Sequence, residues 1–536
     1  MQGEKAATTP RLFTCGCVEQ IVPQDDYYRR LEKAVDFSFV SKLAAPFYAE
    51  RGRPSVDPEV LAKIMLIGYL EGIASERRLM RHIQVNLSYR RFLGYDIDEE
   101  IPDHSTLSKA RERFGSSFFK EIFQEIVRQC DRVGLISWES AAADATLEEA
   151  DASFESLERR RPETSAEEYA VRIVCGDKQE EKKERRKEKV GNKTHKSRTD
   201  EDARIAKRGK GKGLLAYLGH RLVDSAKRVI VGISVSRADI CEGKELIGLV
   251  ESCREDHGRA PDMIAADKKY GSVENLKALA EMGIEACIPI QKHVNKKGLI
   301  GREEFEYCED GDYYVCPEGK VLKRINRLKK ERSSKYRAEA KDCLGCPKRK
   351  DCCSSKKGRM VSRNWDERYV IAARERAGSR NGRRAARMRR STVELSFAEG
   401  KQYHNLRRAQ WRGLDKVLIQ NLLSATAQNI KRLVEAEDRR RRMAAALAVS
   451  ACSQAFSQFH SLCEHAVETV YLAQRLLKRL YKAHALVYLS SGSSLSQIRG
   501  EILFLQQAHL ALDSLHLDQH PDRAVSAVTG DLESLS

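Results

Sequence analysis

The sequence has no long apolar run and too few acidic residues to balance its basic ones. Its 536 residues contain no stretch of about 18 or more apolar residues, so no membrane-spanning helix is predicted. The first residues, MQGEKAATTPRLF, lack the apolar core of a signal peptide. We therefore expect a cytoplasmic protein, whose 15 cysteines do not form a disulfide framework.

The charge imbalance indicates a class of partner. The chain carries 96 Lys and Arg against 78 Asp and Glu, a formal net charge of +18. Such an excess favours a polyanion, with nucleic acid as the first expectation and an anionic membrane surface as the second. The length allows several domains of ordinary size.

The chain between residues 57 and 134 is predicted to be helical. Asp57 and Pro58 start one helix as its N-cap and first residue, Ser75 caps the next, and Gly115 ends a later one. The module is rich in basic residues: Arg77, Arg78, Arg81, Arg90, Arg91, Lys109, Arg111 and Arg113. These side chains form either a solvated basic surface or a DNA contact, and the sequence favours neither.

Short stretches rich in β-branched residues follow, and they predict strands. Helical stretches near 242–256 and 272–282 separate the later strands. Three strands followed by alternating helix and strand predict a mixed sheet with helices packed on it. The predicted strands lie at 139–146, 214–223, 228–236, 262–266 and 284–290.

Two insertions interrupt this pattern. Residues 178–212 contain 15 Lys and Arg, seven Asp and Glu and almost no large apolar side chains, so we expect them to be disordered or loosely helical. Residues 291–365 hold the densest group of cysteines. The chain after 366 reads as helical, with an amphipathic helix over 413–434 and a helical tail from about 440.

Three carboxylates stand out from their surroundings. Asp144 lies on the first predicted strand beside small apolar residues, where a buried carboxylate needs a cation. Asp267 follows the fourth strand, a position that also fits an ordinary turn. Glu394 lies four residues after Arg390 and seven before Lys401, on one face of a predicted helix. Taken alone, that face also fits a surface salt-bridge ladder.

Two aspartates and one glutamate on these elements can form a two-metal site. Carboxylate oxygens suit Mg²⁺ or Mn²⁺. Two such ions roughly 4 Å apart activate an attacking oxygen and stabilise a leaving one in phosphodiester chemistry. We therefore predict that Asp144, Asp267 and Glu394 are catalytic metal ligands. The surrounding positive charge then matches a substrate that brings phosphates.

Several motifs, in order over roughly residues 15–435, resemble DDE transposases of bacterial insertion sequences. AADATLEEADAS resembles the first-Asp motif, with Ala145 in place of the usual Gly, and AADKKYGS resembles the second-Asp motif. VELSFAEGKQYHNLRRAQWRG resembles the Glu motif, with Ala398 where the family usually has Gly. The family's Tyr-Arg-Glu-Lys signature fits Arg390, Glu394 and Lys401, whereas Arg387 stands at its Tyr position. DHSTLSKARERFG resembles part of the N-terminal DNA-binding domain.

The resemblance implies an α+β, mixed architecture with a ribonuclease-H-like catalytic domain. The expected divisions are an arm over 1–26, a helical DNA-binding domain over 27–134, a catalytic domain over 135–435 and a helical tail of unknown role over 436–536. Within the catalytic domain we place a basic insertion at 155–213 and a cysteine-rich insertion at 291–365. The resemblance places such a protein in the bacterial cytoplasm.

The resemblance also implies an activity and its partners. Such a protein binds the terminal inverted repeats of its element as a homodimer, cleaves double-stranded DNA and joins the freed ends to target DNA. Arg390, Lys401, Arg407 and Arg408 are then expected to contact the phosphate backbone. Trp411 either stacks on a base or packs in the protein, and packing is the first expectation.

The cysteines after residue 300 have the spacing of a metal site. YYVCPEGK and CLGCPKRKDCC supply Cys316, Cys343, Cys346 and either Cys352 or Cys353, a possible tetrahedral thiolate site for structural Zn²⁺. Cys308 could replace Cys316. Ordinary buried thiols remain the alternative, although similar transposases carry such a cluster between the second Asp and the Glu.

Two other functions fit the same features. A ribonuclease-H-like DNA nuclease would use the same carboxylates but would lack strand transfer. A domesticated DNA-binding regulator derived from a transposase would bind DNA without cleaving it. The complete set of three carboxylates argues against the regulator, because a protein without catalysis does not need them.

Overall fold

The computed structural model describes residues 18–49, 55–160, 190–207, 213–290 and 299–491. The chain divides into two compact units, Met1–Glu437 and Asp438–Ser536. In the second unit the described residues belong to one helix, which ends at Ser491. No helix within the described ranges is long and apolar enough to cross a membrane.

The N-terminal part is helical, as predicted. Asp57 accepts a hydrogen bond from the Glu59 amide at 2.7 Å, and Ser75 accepts one from the Arg78 amide, so both predicted caps are present. Gly115 has φ of +65° and breaks the longest of these helices into two, where the sequence predicts an end. The helices are α1 (Val18–Ile21), α2 (Tyr27–Ala34), α3 (Phe39–Ala44), α4 (Pro58–Leu70), α5 (Glu76–Val85), α6 (Leu87–Leu93) and α7 (Ser105–Arg132).

A mixed sheet follows, and all five predicted strands are present in it. They are β1 (Ser140–Glu149), β5 (Gly213–Asp224), β6 (Ile230–Arg237), β7 (Met263–Ala266) and β8 (Glu285–Cys287). Strands β6, β5 and β1 are antiparallel neighbours, and β7 and β8 continue from β1 in parallel. The resulting order is β6-β5-β1-β7-β8. Between the later strands lie α8 (Leu246–His257) and α9 (Val273–Glu281).

The basic insertion contains strands that the sequence analysis missed. The structure describes β2 (Leu157–Arg159) paired with β3 (His195–Ser197), and β4 (Arg204–Lys207) paired with the start of β5. The prediction of disorder or loose helix is therefore wrong for 190–207. Tyr217 on β5 donates a hydrogen bond to Asp200 at 2.5 Å, which fastens the insertion to the sheet. The rest of the predicted disordered segment, 178–189 and 208–212, lies outside the described residues.

The cysteine-rich region has its own antiparallel sheet. Its strands are β9 (Glu306–Cys308), β10 (Tyr313–Val315), β11 (Val321–Leu328), β12 (Ser333–Ala338) and β13 (Met360–Asn364), and each pairs with the next. Two short helices, α10 (Ala340–Leu344) and α11 (Arg349–Cys352), lie between β12 and β13. A small apolar core forms around Phe305, Tyr314, Leu322, Tyr336 and Val361.

Helices then complete the first unit: α12 (Glu367–Gly378), α13 (Arg380–Arg389), α14 (Leu395–Tyr403) and α15 (Leu414–Ser491). One apolar core runs from the N-terminal helices through the sheet to the start of α15, from Tyr28 to Val434. Trp411 packs against this core, with the Arg111 guanidinium 4.1 Å from the centre of its ring. The expectation that Trp411 packs in the protein is therefore confirmed.

Candidate active site

Asp144, within β1, and Asp267, directly after the end of the parallel strand β7, lie side by side. The register pairs Ala143 on β1 with Ala266 on β7, so each aspartate is the next residue along. Adjacent strands are about 4.8 Å apart, which brings the two carboxylates to one edge of the sheet. Asp267 also accepts a hydrogen bond from the Lys268 amide at 2.7 Å, so it forms the ordinary turn as well.

Glu394 is placed by an unusual turn between two helices. Residues Arg390–Glu394 form a π-helical turn that joins α13 to α14. A π turn is bonded from i to i+5, so side chains five residues apart lie on one face. Such turns are rare and often occur at functional sites. The turn brings Glu394 to the face on which Arg389 lies.

Arg389 joins two of the three carboxylates. Its Nη1 is 2.6 Å from Asp144 Oδ2, and its Nη2 is 2.8 Å from Glu394 Oε1. The sequence predicted that Asp144 needs a cation, and this contact supplies it. The sequence analysis placed Arg390 on the face of Glu394, but Arg390 is exposed and Arg389 makes the contact. The predicted spacing assumed an α-helix, and the π turn shifts the register by one residue.

Further negative charge surrounds Asp144. Burial raises the pKa of the Asp144 carboxyl; the Ala145 amide and Arg389 oppose this, whereas Glu242 and Asp267 add to it. Glu242 accepts a hydrogen bond from Lys269 at 2.7 Å. A site with several close carboxylates favours a cation, because each carboxylate makes it harder for the next to ionise alone.

A buried polar layer lies beneath the carboxylates. Arg221, directly opposite Asp144 on β5, is fully buried and donates to Ser396 Oγ at 2.7 Å and to the Ser396 carbonyl at 2.9 Å. Ser396 lies two residues after Glu394, so Arg221 fastens the Glu394 helix to the sheet. Burial lowers the pKa of Arg221 to about 10. Burying an arginine side chain without hydrogen-bond partners is costly in free energy. The hydrogen bonds to Ser396 therefore matter for the structure of the site.

Glu148 extends this layer along β1. It is fully buried, accepts a hydrogen bond from Asn421 at 2.9 Å, and burial raises its pKa to about 7. Its carboxylate fills the space above Gly219, where a Cβ would overlap it and lie 2.9 Å from Asn421 Oδ1. Position 219 therefore requires glycine for a steric reason.

The predicted DNA-contact residues take different positions. Lys401 lies against β1, where its Nζ contacts Thr146 Oγ1 at 2.5 Å and the Leu147 carbonyl at 3.2 Å. Arg407 and Arg408 are exposed, and Arg408 is 3.4 Å from Asp151. Their contact with DNA, like that of Arg390, stays a prediction.

Of the four predicted zinc ligands, Cys316 follows β10, Cys343 and Cys352 lie on the two short helices, and Cys346 lies between these helices. The Lys320 amide donates to Cys316 Sγ at 3.3 Å, and the Arg359 amide donates to Cys343 Sγ at 3.3 Å. Burial raises the pKa of Cys352; Arg359 opposes the shift, and Cys353, Cys343 and Cys316 add to it. The hydrogen bond to Glu318 raises the pKa of the Lys348 amine, and Cys346 adds to this shift.

The donor set of the carboxylate site suits a hard divalent cation, because it consists of oxygen atoms. Within the described ranges, however, no three His, Cys, Asp or Glu side chains are arranged to hold a metal ion, in either the carboxylate site or the cysteine cluster. At the carboxylate site the Arg389 guanidinium binds oxygens of Asp144 and Glu394.

Two family models match the chain. A transposase domain (DUF772) matches residues 16–113, and a transposase DDE domain matches residues 315–434. These matches confirm the resemblance to DDE transposases found in the sequence. By its two domains the chain is a DNA transposase, and therefore an enzyme. No curated protein matches it.

Two solved transposase structures are similar to the chain at low identity. A piggyBac transposase, in a cryo-EM synaptic complex with hairpin DNA, is 9% identical over 77% of this chain and 80% of that chain, with a TM-score of 0.27. Mos1 transposase, in a paired-end complex with the left transposon end, is 10% identical over 45% and 61%, with a TM-score of 0.14. At these scores neither similarity adds to the family matches.

Sequence reasoning missed Arg389, Arg221, Glu148 and Glu242. Arg221 had a usable signal, because an arginine within the apolar strand GHRLVD must find a buried partner. Glu148 had another, since it follows Asp144 by four residues on the same strand and so shares its face. Arg389 had none, because the π turn that selects it has no known sequence pattern.

Proposed function

We propose that this transposase cleaves DNA at the ends of its element and joins the freed 3′ hydroxyls to target DNA, using Asp144, Asp267 and Glu394. The observation that carries this proposal is that strand pairing and Arg389 connect Asp267 and Glu394, from distant parts of the chain, to Asp144. The register of β1 and β7 aligns the two aspartates, and Arg389 holds Glu394 to Asp144.

We also infer that residues 135–435 have a ribonuclease-H-like arrangement. The order β6-β5-β1-β7-β8, with three antiparallel strands and then two parallel ones, supports it. The positions of the carboxylates also support this arrangement: Asp144 lies on β1, Asp267 follows β7, and Glu394 lies directly before a later helix. The five-stranded sheet of Glu306–Asn364 then follows the last strand as an insertion.

Mg²⁺ or Mn²⁺ is the cofactor that this donor set suits. When bound, such ions lower the pKa of an attacking oxygen and stabilise the leaving one. The chain's own residues position these ligands: the strand register fixes Asp144 and Asp267, and Arg221 holds the Glu394 helix through Ser396. Lys401, 2.5 Å from Thr146 on the strand of Asp144, lies where it can meet an incoming phosphate.

The charge of the chain supports a DNA partner. The net charge of +18 attracts a polyanion, and phosphate contacts position DNA without reading its sequence. Arg390, Arg407 and Arg408 are exposed. The helical region 27–134 would supply recognition of the terminal repeats, and a dimer on DNA would bring two ends together. The setting for this reaction would be the bacterial cytoplasm.

A structural Zn²⁺ is the second part of the proposal. Cys316, Cys343, Cys346 and Cys352 would hold it by moving together from their present positions. The amide hydrogen bonds to Cys316 and Cys343 support thiolates at these two positions, because they stabilise negative charge on sulfur.

The test separates transposition from the two alternatives. Purified full-length protein is incubated with DNA that carries the inverted repeats flanking its gene, with Mg²⁺ or Mn²⁺, and both cleavage and joined products are measured. Joined products support the transposase. Cleavage without joining supports the nuclease, and specific binding without cleavage supports the DNA-binding regulator.

A further inference from the structure

Arg389 occupies the oxygens that a metal ion would need. Its two terminal nitrogens are 2.6 Å from Asp144 Oδ2 and 2.8 Å from Glu394 Oε1. The Arg389 and Asp144 side chains are 19% and 17% exposed, so their contact is held within the protein, whereas Glu394 is 46% exposed. The guanidinium thus neutralises two carboxylates that would otherwise repel each other.

A guanidinium and a divalent cation compete for such oxygens. Mg²⁺ requires oxygens at about 2.0–2.1 Å in octahedral geometry, with a lone pair of each oxygen directed at the metal. A second positive charge a few ångströms away also opposes the metal by Coulomb repulsion. Ligation of a metal through Asp144 Oδ2 or Glu394 Oε1 therefore requires Arg389 to leave that oxygen.

A DNA phosphate is the partner that can take Arg389 away. The planar guanidinium binds phosphate oxygens in pairs as well as it binds carboxylates. The substrate in the proposed function brings phosphates to this edge of the sheet. When Arg389 turns to a phosphate, it frees Asp144 and Glu394 at the moment when the DNA is in place.

We infer that Arg389 is a positioning residue that makes metal binding depend on DNA binding. This inference rests on the proposed function and adds a regulatory step to the same site. Without DNA, Arg389 holds the carboxylates together and keeps the metal weakly bound. With DNA, it contacts the phosphate, and the carboxylates pass to the metal. A transposase with this coupling would not hold an activated oxygen in the absence of its substrate.

The π turn explains why Arg389 has this role and its neighbour does not. In an α-helix, residues three and four apart share a face, which would pair Arg390 with Glu394. In the π turn of Arg390–Glu394 the residue five positions before Glu394 takes that place. Arg390 is exposed instead, so the two arginines can be tested separately.

The experiment measures Mn²⁺ affinity by electron paramagnetic resonance of free Mn²⁺, with the full-length protein. Each protein is titrated alone and with a nuclease-resistant DNA duplex of random sequence. The variants are Arg389→Gln, Arg389→Lys and the control Arg384→Gln. Arg384 is exposed on the same helix, so its replacement removes one charge at a distance from the carboxylates.

In the wild type we expect DNA to tighten Mn²⁺ binding by about 5- to 150-fold, the usual range for coupling between two sites. Arg389→Gln should bind Mn²⁺ more tightly without DNA, by a similar factor, and DNA should then add little. Arg389→Lys should lie between the two, because one ammonium cannot bridge both carboxylates as a fork does. Arg384→Gln should behave as the wild type.

Two results would overturn the inference. If Arg389→Gln and Arg389→Lys bind Mn²⁺ no more tightly than Arg384→Gln, Arg389 is only a structural ion pair. If DNA tightens Mn²⁺ binding equally in all variants, the coupling runs through other residues. Adding Asp144→Asn separates this failure from that of the proposed function. If Asp144→Asn loses Mn²⁺ binding, the proposed metal site stands even when Arg389 has no role in it. If no variant binds Mn²⁺, with or without DNA, both the proposed metal site and the role of Arg389 are rejected.

Discussion

The carboxylate site and the cysteine cluster are two groups of proposed metal ligands that the surrounding structure supports very differently. Asp144 lies within β1 and Asp267 directly after β7, and the residues just before each of them are fully or nearly fully buried. Cys316 follows β10, Cys343 and Cys352 lie on two short helices, and Cys346 lies between these helices. The core beside them is small and separate. The first group is fixed by strand register before any metal binds. The second group has no comparable support, so its geometry depends more on the metal itself.

The difference shows what a sheet contributes to a catalytic site. Parallel strands place their next residues side by side at a spacing set by backbone hydrogen bonds. A ligand pair built in this way tolerates repulsion between its members, because the core keeps the strands together. Short helices provide no such constraint, and a structural metal then contributes to folding as well as to ligand geometry.

The largest expected effect is at the carboxylates. Replacing Asp144, Asp267 or Glu394 by Ala should abolish DNA cleavage and leave binding of the element's ends largely intact, because these residues would hold metal while basic residues provide affinity. Cleavage assays and gel-shift titrations measure the two properties. The exposed Glu155→Ala serves as the control. Half or more of the wild-type cleavage rate in any of the three variants would remove that residue from the assignment.

The next effect is at the cysteines. Purified reduced protein should contain about one zinc per chain, lost when Cys343 and Cys346 are both replaced by Ser, because four thiolates bind Zn²⁺ in tetrahedral geometry. Elemental analysis gives the metal content. The buried Cys253→Ser, far from the cluster in sequence, should keep its zinc. If freshly purified wild-type protein contained no zinc, the proposed zinc site would be wrong, and the carboxylate site would be the one remaining candidate metal site.

A smaller effect concerns which region meets DNA. Replacing Arg407 and Arg408 by Gln should flatten the slope of log K against log salt by about 0.9 for each phosphate that is no longer neutralised. Replacing Lys329 and Lys330, in the turn between β11 and β12 of the cysteine-rich sheet, should leave the slope unchanged. Fluorescence anisotropy over a salt series measures it. Equal slopes in the two double variants would mean that the carboxylate region is not the preferred DNA surface.

The smallest expected effect tests the layer beneath the carboxylates. Burial raises the pKa of Glu148 to about 7 from an ordinary value of 4.5, so the folded protein holds this proton more tightly than the unfolded chain. The contribution of protonated Glu148 to the free energy of unfolding is therefore fully present below about pH 4.5, and it is lost as the pH rises through about 7. Glu148→Gln should raise Tm relative to the wild type at pH 8, where wild-type Glu148 is charged.

The size of this effect follows from about 1.4 kcal/mol for each unit of pKa, which gives a few kcal/mol as an upper bound. The exposed Glu155→Gln should show no such pH-dependent difference. A constant difference in Tm between Glu148→Gln and the wild type from pH 4.5 to pH 8 would mean that Glu148 does not titrate in this range.

The sequence predicted the parts that depend on local patterns. Short stretches rich in β-branched residues identified five of the six strands of the main sheet, and caps identified the helices after Asp57 and Ser75. It failed where long-range pairing decided the outcome. The charged segment 190–207 forms strands because β5 offers an open edge to β4 and Tyr217 bonds Asp200, and neither partner is visible locally.

The sequence pointed to the three carboxylates of the candidate site but not to the residues around them. The motifs identified the three carboxylates, and the strand register then brought Asp144 and Asp267 together. The choice of Arg389 over Arg390 depends on a backbone turn, which residue types do not specify. Arg221 and Glu148 are polar residues in buried strands, so their partners appear only once the fold is known.

The continuous core from Tyr28 to Val434 limits how this protein could be rebuilt from parts. His404 binds the Tyr69 carbonyl at 2.7 Å, and Arg111 stacks on Trp411, so the helical region and the end of the catalytic region were shaped against each other. Exchange of the N-terminal helices between related elements would disrupt this shared packing. We therefore expect recognition of new DNA ends to evolve by substitutions on the exposed faces of the helices. The residues that pack between the helical region and the catalytic region should change little.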